Sequence, residues 1–199
     1  MTMTATRPAP DFAAARRAML DSQLRTSGVN EPFVLARMGE VAREDFVPET
    51  MRSAAYMDRA IALGDGRHLA APLVQGRMLA EAKPVATDTA LVVDGGSGYL
   101  AELLRPLVGS LTVQNAEEAI KGRKGGFSLI VVDGAAEEIP TSLARRMADD
   151  GRIVTGLAER GVTRLAVGRK IGGELSLLPV ADIGMPVLAE FAAPKGWSF

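Results

Sequence analysis

The stretch TALVVDGGSGYL, residues 89–100, decides how this chain folds. Its opening run is short and rich in apolar and β-branched residues, which suits a strand covered on both faces. The run stops at Asp94 and a cluster of Gly95, Gly96 and Gly98 with Ser97 between them. Tyr99 to Val108 then carries helical spacing, with Pro106 weakening its last turn. Glycines at a strand-to-helix junction let the backbone approach a ligand closely, and a helix start offers N–H groups to an anionic or polar group. An acid about 20 residues beyond such a turn often accepts hydrogen bonds from a ribose. Glu117, beside Glu118, falls near that distance. Spacing leaves two readings open: a crevice for a nucleoside-containing cofactor, or a turn that serves tight packing alone.

Working outward, SLTVQ (110–114), FSLIVVD (127–133), RIVTGL (152–157), TRLAVGRK (163–170) and ELSLLPV (174–180) read as further strands. TSLARRMADD (141–150) reads as a helix closed by Gly151. Strands alternating with helices predict a Rossmann-like α/β sheet, mostly parallel, and the closely spaced last three strands predict an antiparallel edge. Upstream of Pro84 the pattern is helical. A first helix starts at Asp11 with Phe12, Met19, Leu20 and Leu24 on one side and stops at Gly28. Asn30 is expected to cap a second, with Pro32 in its first turn. Residues 44–63 read as a turn, a short helix and an extended piece, and a further helix runs from Pro72 through Glu81. The expected organisation is a loose tail at 1–9, a helical N-terminal lobe at 10–84 and an α/β core at 85–199, all in one compact domain.

Composition narrows the chemistry. Of 199 residues, 47% are hydrophobic, enough for a buried core, and 23 Lys and Arg balance 24 Asp and Glu. That balance argues against a nucleic-acid binder. Zero Cys and one His exclude a disulfide framework and a thiol nucleophile and leave almost no ligands for a zinc site. No run is long and apolar enough to span a bilayer, so neither nucleic acid nor membrane is an expected partner. The expectation is a soluble cytoplasmic protein, monomeric or weakly dimeric.

The run from Arg16 to Arg67 resembles the opening of protein-L-isoaspartate O-methyltransferases. The resemblance rests on Met19 to Leu24, Gly28-Val29, Val41 to Pro48 and Ala55 to Asp58. The glycine turn, FSLIVVDGAAEEIP (127–140) and LSLLPVADIGMPVL (175–188) match later family segments in order. The resemblance implies a methyltransferase core that binds S-adenosylmethionine and needs no metal. It also implies methyl transfer to the free α-carboxylate of isoaspartyl residues in damaged proteins or peptides. Carried onto this chain, it assigns the turn of Asp94, Gly95, Gly96, Ser97 and Gly98 to the cofactor, to which the spacing adds Glu117; Asp133, ending an apolar strand where carboxylates often face the ligand crevice, is expected to touch the cofactor or the substrate. The resemblance assigns His68, Leu69, Ala70 and Pro72 to the substrate side, with no catalytic group named.

This chain departs from the family pattern in three places. In one register of the glycine turn Asp94 replaces its first glycine and Val92 stands at the usual acidic position; in the other Asp94 is that acid and the loop is short. Between Ser110 and Phe127 there is room for one strand and a few helical residues, so either Glu117 serves the ribose or the ribose-binding strand is lost. Ala70 stands where the family carries a hydroxyl and offers no side-chain hydrogen bond. The alternatives to isoaspartyl repair are a non-catalytic descendant acting as a binding or scaffolding module, and a methyltransferase for another substrate. Single residues carry bland readings too: an exposed loop histidine at 68, a turn-forming Asp133, solvated Glu44 and Asp45, core packing for Tyr56 and Trp197, and a solvated loop at 121–124.

Overall fold

The computed structural model describes residues 11–193; the tail expected at 1–9 and Trp197 lie outside them. Helix α1 (Phe12–Met19) is capped by the Asp11 carboxylate, which accepts from Ala14 N at 2.9 Å. It widens into a π-turn over Leu20–Leu24, which places Met19 and Leu24, five positions apart and both fully buried, against one core. Gly28 ends the segment with φ +85°, the left-handed stop expected of a glycine there. Helix α2 (Pro32–Glu40) is not capped by Asn30. Pro32 at its first turn disfavours helical backbone in the residue before it, so Glu31 stands extended at the cap and its carboxylate accepts from Asn30 N. Two short 3-10 helices come next, Arg43–Phe46 and Glu49–Ala54, the second entered through Pro48.

A hairpin of β1 (Ile61–Gly64) and β2 (Arg67–Leu69) leads into α3 (Pro72–Ala82). The main sheet contains β3 (Thr89–Val93), β4 (Ser110–Gln114), β5 (Phe127–Ala136), β6 (Met147–Glu159), β7 (Val162–Ile171) and β8 (Glu174–Asp182) in the order β4-β3-β5-β6-β7-β8. The first four run parallel and β6-β7-β8 antiparallel, as the strand spacing predicts. Helices α4 (Tyr99–Leu104), α5 (Ala116–Lys121) and α6 (Thr141–Ala144) connect the parallel part.

Near-continuous apolar strands still obey a period of two. Ala90, Val92, Leu129 and Val131 join one core with α1 to α4, while Leu91, Val93, Ile130 and Val132 join a second under α5 and α6. Residues of the helical lobe and of the sheet therefore share the first core.

The helix expected at 141–150 is one turn long, and β6 begins at Met147. Arg146 is the reason. Its buried guanidinium donates to Lys124 O, Ala119 O and Gln114 Oε1 at 2.8, 2.7 and 2.8 Å, which draws the chain back to the sheet. The register then jumps from Phe127 opposite Met147 to Leu129 opposite Arg152, with Asp150 at φ +61° in the bulge. Glu44, expected on a solvated turn, is buried because Arg16 and the Tyr56 hydroxyl both donate to its carboxylate. No helix among the described residues is long and apolar enough to cross a membrane.

Candidate functional site

The chain leaves β3 for β4 on one side and returns to β5 on the other, so β3 and β5 flank the point where the strand order reverses. In open α/β sheets ligands bind outside the carboxyl ends of such strands. A crevice of about 390 Å³ opens there, within the range of small-ligand sites. Asp65, Gly66 and Arg67 of the hairpin, Asp94 to Gly96, Asn115 to Glu117, and 187–190 line it.

The turn after β3 is held from within. Asp94 N continues the sheet by donating to Gln114 O at 2.8 Å, and its carboxylate folds back to accept from Gly96 N at 3.0 Å and Gly98 N at 2.8 Å. Gly96 and Gly98 have φ of +110° and +72°, which only glycine adopts without strain. Gly95 is required for another reason, since a Cβ there would lie 2.3 Å from Asp133 O. Ser97 and Gly98 do not line the crevice; the Ser97 hydroxyl accepts from Tyr99 N at 3.2 Å.

Strand β4 pairs parallel with β3 over its whole length, so the segment between Ser110 and Phe127 holds the strand beside the glycine turn. Helix α5 comes directly after it, closed by a capping box in which the Asn115 side chain accepts from Glu118 N and Glu118 accepts from Asn115 N. Glu118 is thereby used, while Glu117 lines the crevice with its carboxylate paired only with exposed Lys121 at 3.1 Å among the described residues. The last residue of β4, Gln114, points away and is taken by Arg146.

Asp133, 3% exposed, does not line the crevice; its carbonyl packs behind Gly95 of the glycine turn. Burial, with repulsion from the Asp94 carboxylate added, pushes its carboxyl up to about 7 against the smaller opposing effects of Gln75 and Arg43. Gln75 Nε2 sits 3.3 Å from Asp133 Oδ2. Arg43, fully buried, donates to Ala55 O at 2.7 Å, to Gln75 Oε1 at 2.5 Å and to Ala70 O, and lies 5.0 Å above the Tyr99 ring. This links the segment before α3, α3 itself and the end of β5 through polar side chains.

The segment expected on the substrate side divides. Leu69 and Ala70 are buried at 0% and 2%, Pro72 is buried at the first turn of α3, and Ala70 presents its carbonyl to Arg43 rather than its side chain to the crevice. His68 does not line the crevice either but sits beside two residues that do, its backbone N–H meeting Gly95 O at 3.5 Å and its Nδ1 lying 3.1 Å from Gly66 O. Sequence reasoning missed Asp65 and Arg67 at the hairpin and the segment 187–190, brought in where Ala135 N donates to Pro186 O and Leu188 N donates to Ala135 O. The Gly-Asp-Gly of the β1–β2 turn was the available signal for the hairpin. Nothing local marks 187–190.

The fold and its crevice define an α/β protein with a ligand site at the switch point of a mostly parallel sheet. The family model described as protein-L-isoaspartate(D-aspartate) O-methyltransferase matches residues 15–124. The chain is 30% identical to protein-L-isoaspartate O-methyltransferase 1 of Rhodopseudomonas palustris (strain HaA2), over 96% of this chain and 88% of that protein. It is 32% identical to protein-L-isoaspartate O-methyltransferase 2 of Anaeromyxobacter sp. (strain Fw109-5), covering 76% and 73%. A Plasmodium falciparum structure described as such a methyltransferase in complex with S-adenosyl-L-homocysteine superposes with a TM-score of 0.67 at 19% identity, over 91% of this chain and 99% of that one. The chain belongs to the protein-L-isoaspartate(D-aspartate) O-methyltransferase family.

Proposed function

We propose that this protein transfers the methyl group of S-adenosylmethionine to the free carboxylate of isoaspartyl residues in damaged proteins. Family membership supports the reaction, and the crevice supports the cofactor. Four carboxylates, Asp65, Asp94, Glu117 and Glu190, line it against one guanidinium, Arg67. That excess suits a ligand of net positive charge, and a sulfonium nucleoside carrying one carboxylate and one ammonium has net charge about +1 at neutral pH. Of all these features, Glu117 facing the crevice from the first turn after β4 carries the reading furthest. A carboxylate there takes ribose hydroxyls while the glycine turn lets the ligand lie against the main chain.

When bound, the cofactor supplies an electrophilic methyl whose C–S bond breaks as the C–O bond to the substrate carboxylate forms, leaving a neutral thioether. An ionised carboxylate is already a nucleophile, so the protein's share is alignment and exclusion of water. Buried Asp133, whose carbonyl backs Gly95, with Gln75 and the Arg43 network behind it, holds the glycine-turn wall of the crevice rigid for that purpose. His68 and the hairpin tip form the rim by which a peptide carboxylate enters.

Incubation with methyl-labelled S-adenosylmethionine and an isoaspartyl peptide, beside the same peptide with ordinary aspartate, is the test. Base-labile label on the isoaspartyl peptide alone is expected. No methyl ester above the blank would overturn the proposal, and label transferred to cell-extract protein but not to the peptide would redirect it to another substrate.

A further inference from the structure

Asp94 changes what the glycine turn has left to offer. The amides of Gly96 and Gly98, which such a turn would direct at an anion, already donate to the Asp94 carboxylate. That carboxylate also places negative charge where the acid group of an amino-acid ligand would lie, and like charges at short range repel. The crevice has one cation to set against it. Arg67, on β2, lays its side chain across the turn, so that a Cβ built on Gly96 would meet Arg67 Cδ at 2.4 Å, Cβ at 2.7 Å and Cγ at 2.8 Å. Its side chain is 62% exposed and makes only a loose pair with Asp65 at 3.9 Å, so most of its donors are available. Among the described residues it forms no ion pair with Asp94.

We propose that Arg67 receives the α-carboxylate of the S-adenosylmethionine amino-acid moiety, supplying from the hairpin the positive partner that the turn amides no longer provide. The guanidinium fork matches a carboxylate with two parallel N–H donors. The aliphatic part of Arg67 already rests on Gly96, so little reorganisation is needed to bring the fork to a ligand lying along the turn. Arg67 is then a binding residue that selects for a carboxylate-bearing sulfonium ligand. The proposal rests on the cofactor reading above.

Calorimetric titration separates the two. Wild-type protein, Arg67→Gln and Arg67→Lys are each titrated with S-adenosylmethionine and with its decarboxylated analogue, which keeps the sulfonium and the nucleoside. Wild type is expected to bind the intact cofactor about 10–100-fold more tightly, the span of a charge-assisted contact. In Arg67→Gln the preference should vanish or reverse, because the decarboxylated ligand carries more positive charge into an acidic crevice. Arg67→Lys should fall between. An Arg67→Gln protein with unchanged thermal midpoint that retains the wild-type preference overturns the assignment and leaves the cofactor reading standing. Wild type that binds neither ligand overturns both.

Discussion

The Asp133 carboxylate meets the side-chain amide of Gln75 at 3.3 Å, its one side-chain hydrogen-bonding contact among the described residues, from a position 3% exposed near the end of β5. Burial holds the Asp133 carboxyl up near 7, with repulsion from Asp94 added, and the Gln75 amide is too weak a partner for a buried charge to reverse it.

That raised value sets the sign of the pH dependence. Asp133 titrates near its ordinary value in the unfolded chain and near 7 in the folded one, so the folded state binds the proton more tightly. Stability from this group is fully present below about pH 4 and is lost as pH rises toward 7. Asp133→Asn should abolish that decline, leaving the variant relatively more stable at pH 8 than at pH 5. Urea midpoints at both pH values, compared between variant and wild type, check it; an equal difference at the two would refute the assignment.

Replacing Arg43 by methionine, which fills similar space, leaves Ala55 O, Ala70 O and Gln75 Oε1 without their buried donor. The expected loss is about 3–5 kcal/mol, since uncompensated buried polar groups are costly. Denaturant unfolding measures it, and a loss below about 1 kcal/mol would mean that water replaces the guanidinium.

Asp94→Ala removes the acceptor that fixes the amides of Gly96 and Gly98. A stability loss of about 1–3 kcal/mol is expected, with slower chemistry because the turn no longer holds one shape. Asp94→Asn keeps one oxygen acceptor and should fall between. Thermal midpoints and hydrogen exchange at residues 95–99 report the change.

At an ionic strength that screens the sulfonium charge, Glu117→Gln should weaken S-adenosylmethionine and S-adenosylhomocysteine by the same factor, about 10-fold, because both ligands carry the ribose. The thermal midpoint should hold, since the side chains of Glu117 and Lys121 are 66% and 75% exposed and their pair contributes little. Unequal losses at that ionic strength would place Glu117 near the sulfur instead.

Net charge in the crevice predicts a salt effect. S-adenosylmethionine should bind more tightly than its uncharged-sulfur product at low ionic strength, and the gap should narrow as salt screens the four carboxylates. Titrations across a range of sodium chloride concentrations decide it; a constant ratio would show that the excess charge is not felt at the sulfonium.

Much of the fold was legible locally. The strands at 89–93 and 110–114, the one read over 127–133 that the fold extends to Ala136, the stop at Gly28 and the helix from Pro72 arise from side-chain size, backbone freedom and the two periodicities, which act over a few residues. Asp94, Gly95, Gly96 and Glu117, which line the crevice, stand at positions the sequence singles out because a βαβ unit sets their separation along the chain; Asn115 and Ala116, which line it too, carry no such mark.

What only the tertiary structure decided depends on partners distant in the chain. TSLARRMADD has helical spacing, yet Arg146 finds Ala119, Lys124 and Gln114 and ends the helix after one turn. Glu44 looks solvated until Arg16 and Tyr56 close on it. The resemblance puts Ala70 on the substrate side, yet Arg43 takes its carbonyl and the residue is buried. Two of the crevice walls, the hairpin at 65–67 and the segment at 187–190, reach the site only through packing and bonds made across the fold. Propensity and periodicity are short-range properties of a polymer. Burial of a charge is settled by whichever remote donor or acceptor the folded chain brings within about 3 Å, and no local pattern encodes that meeting.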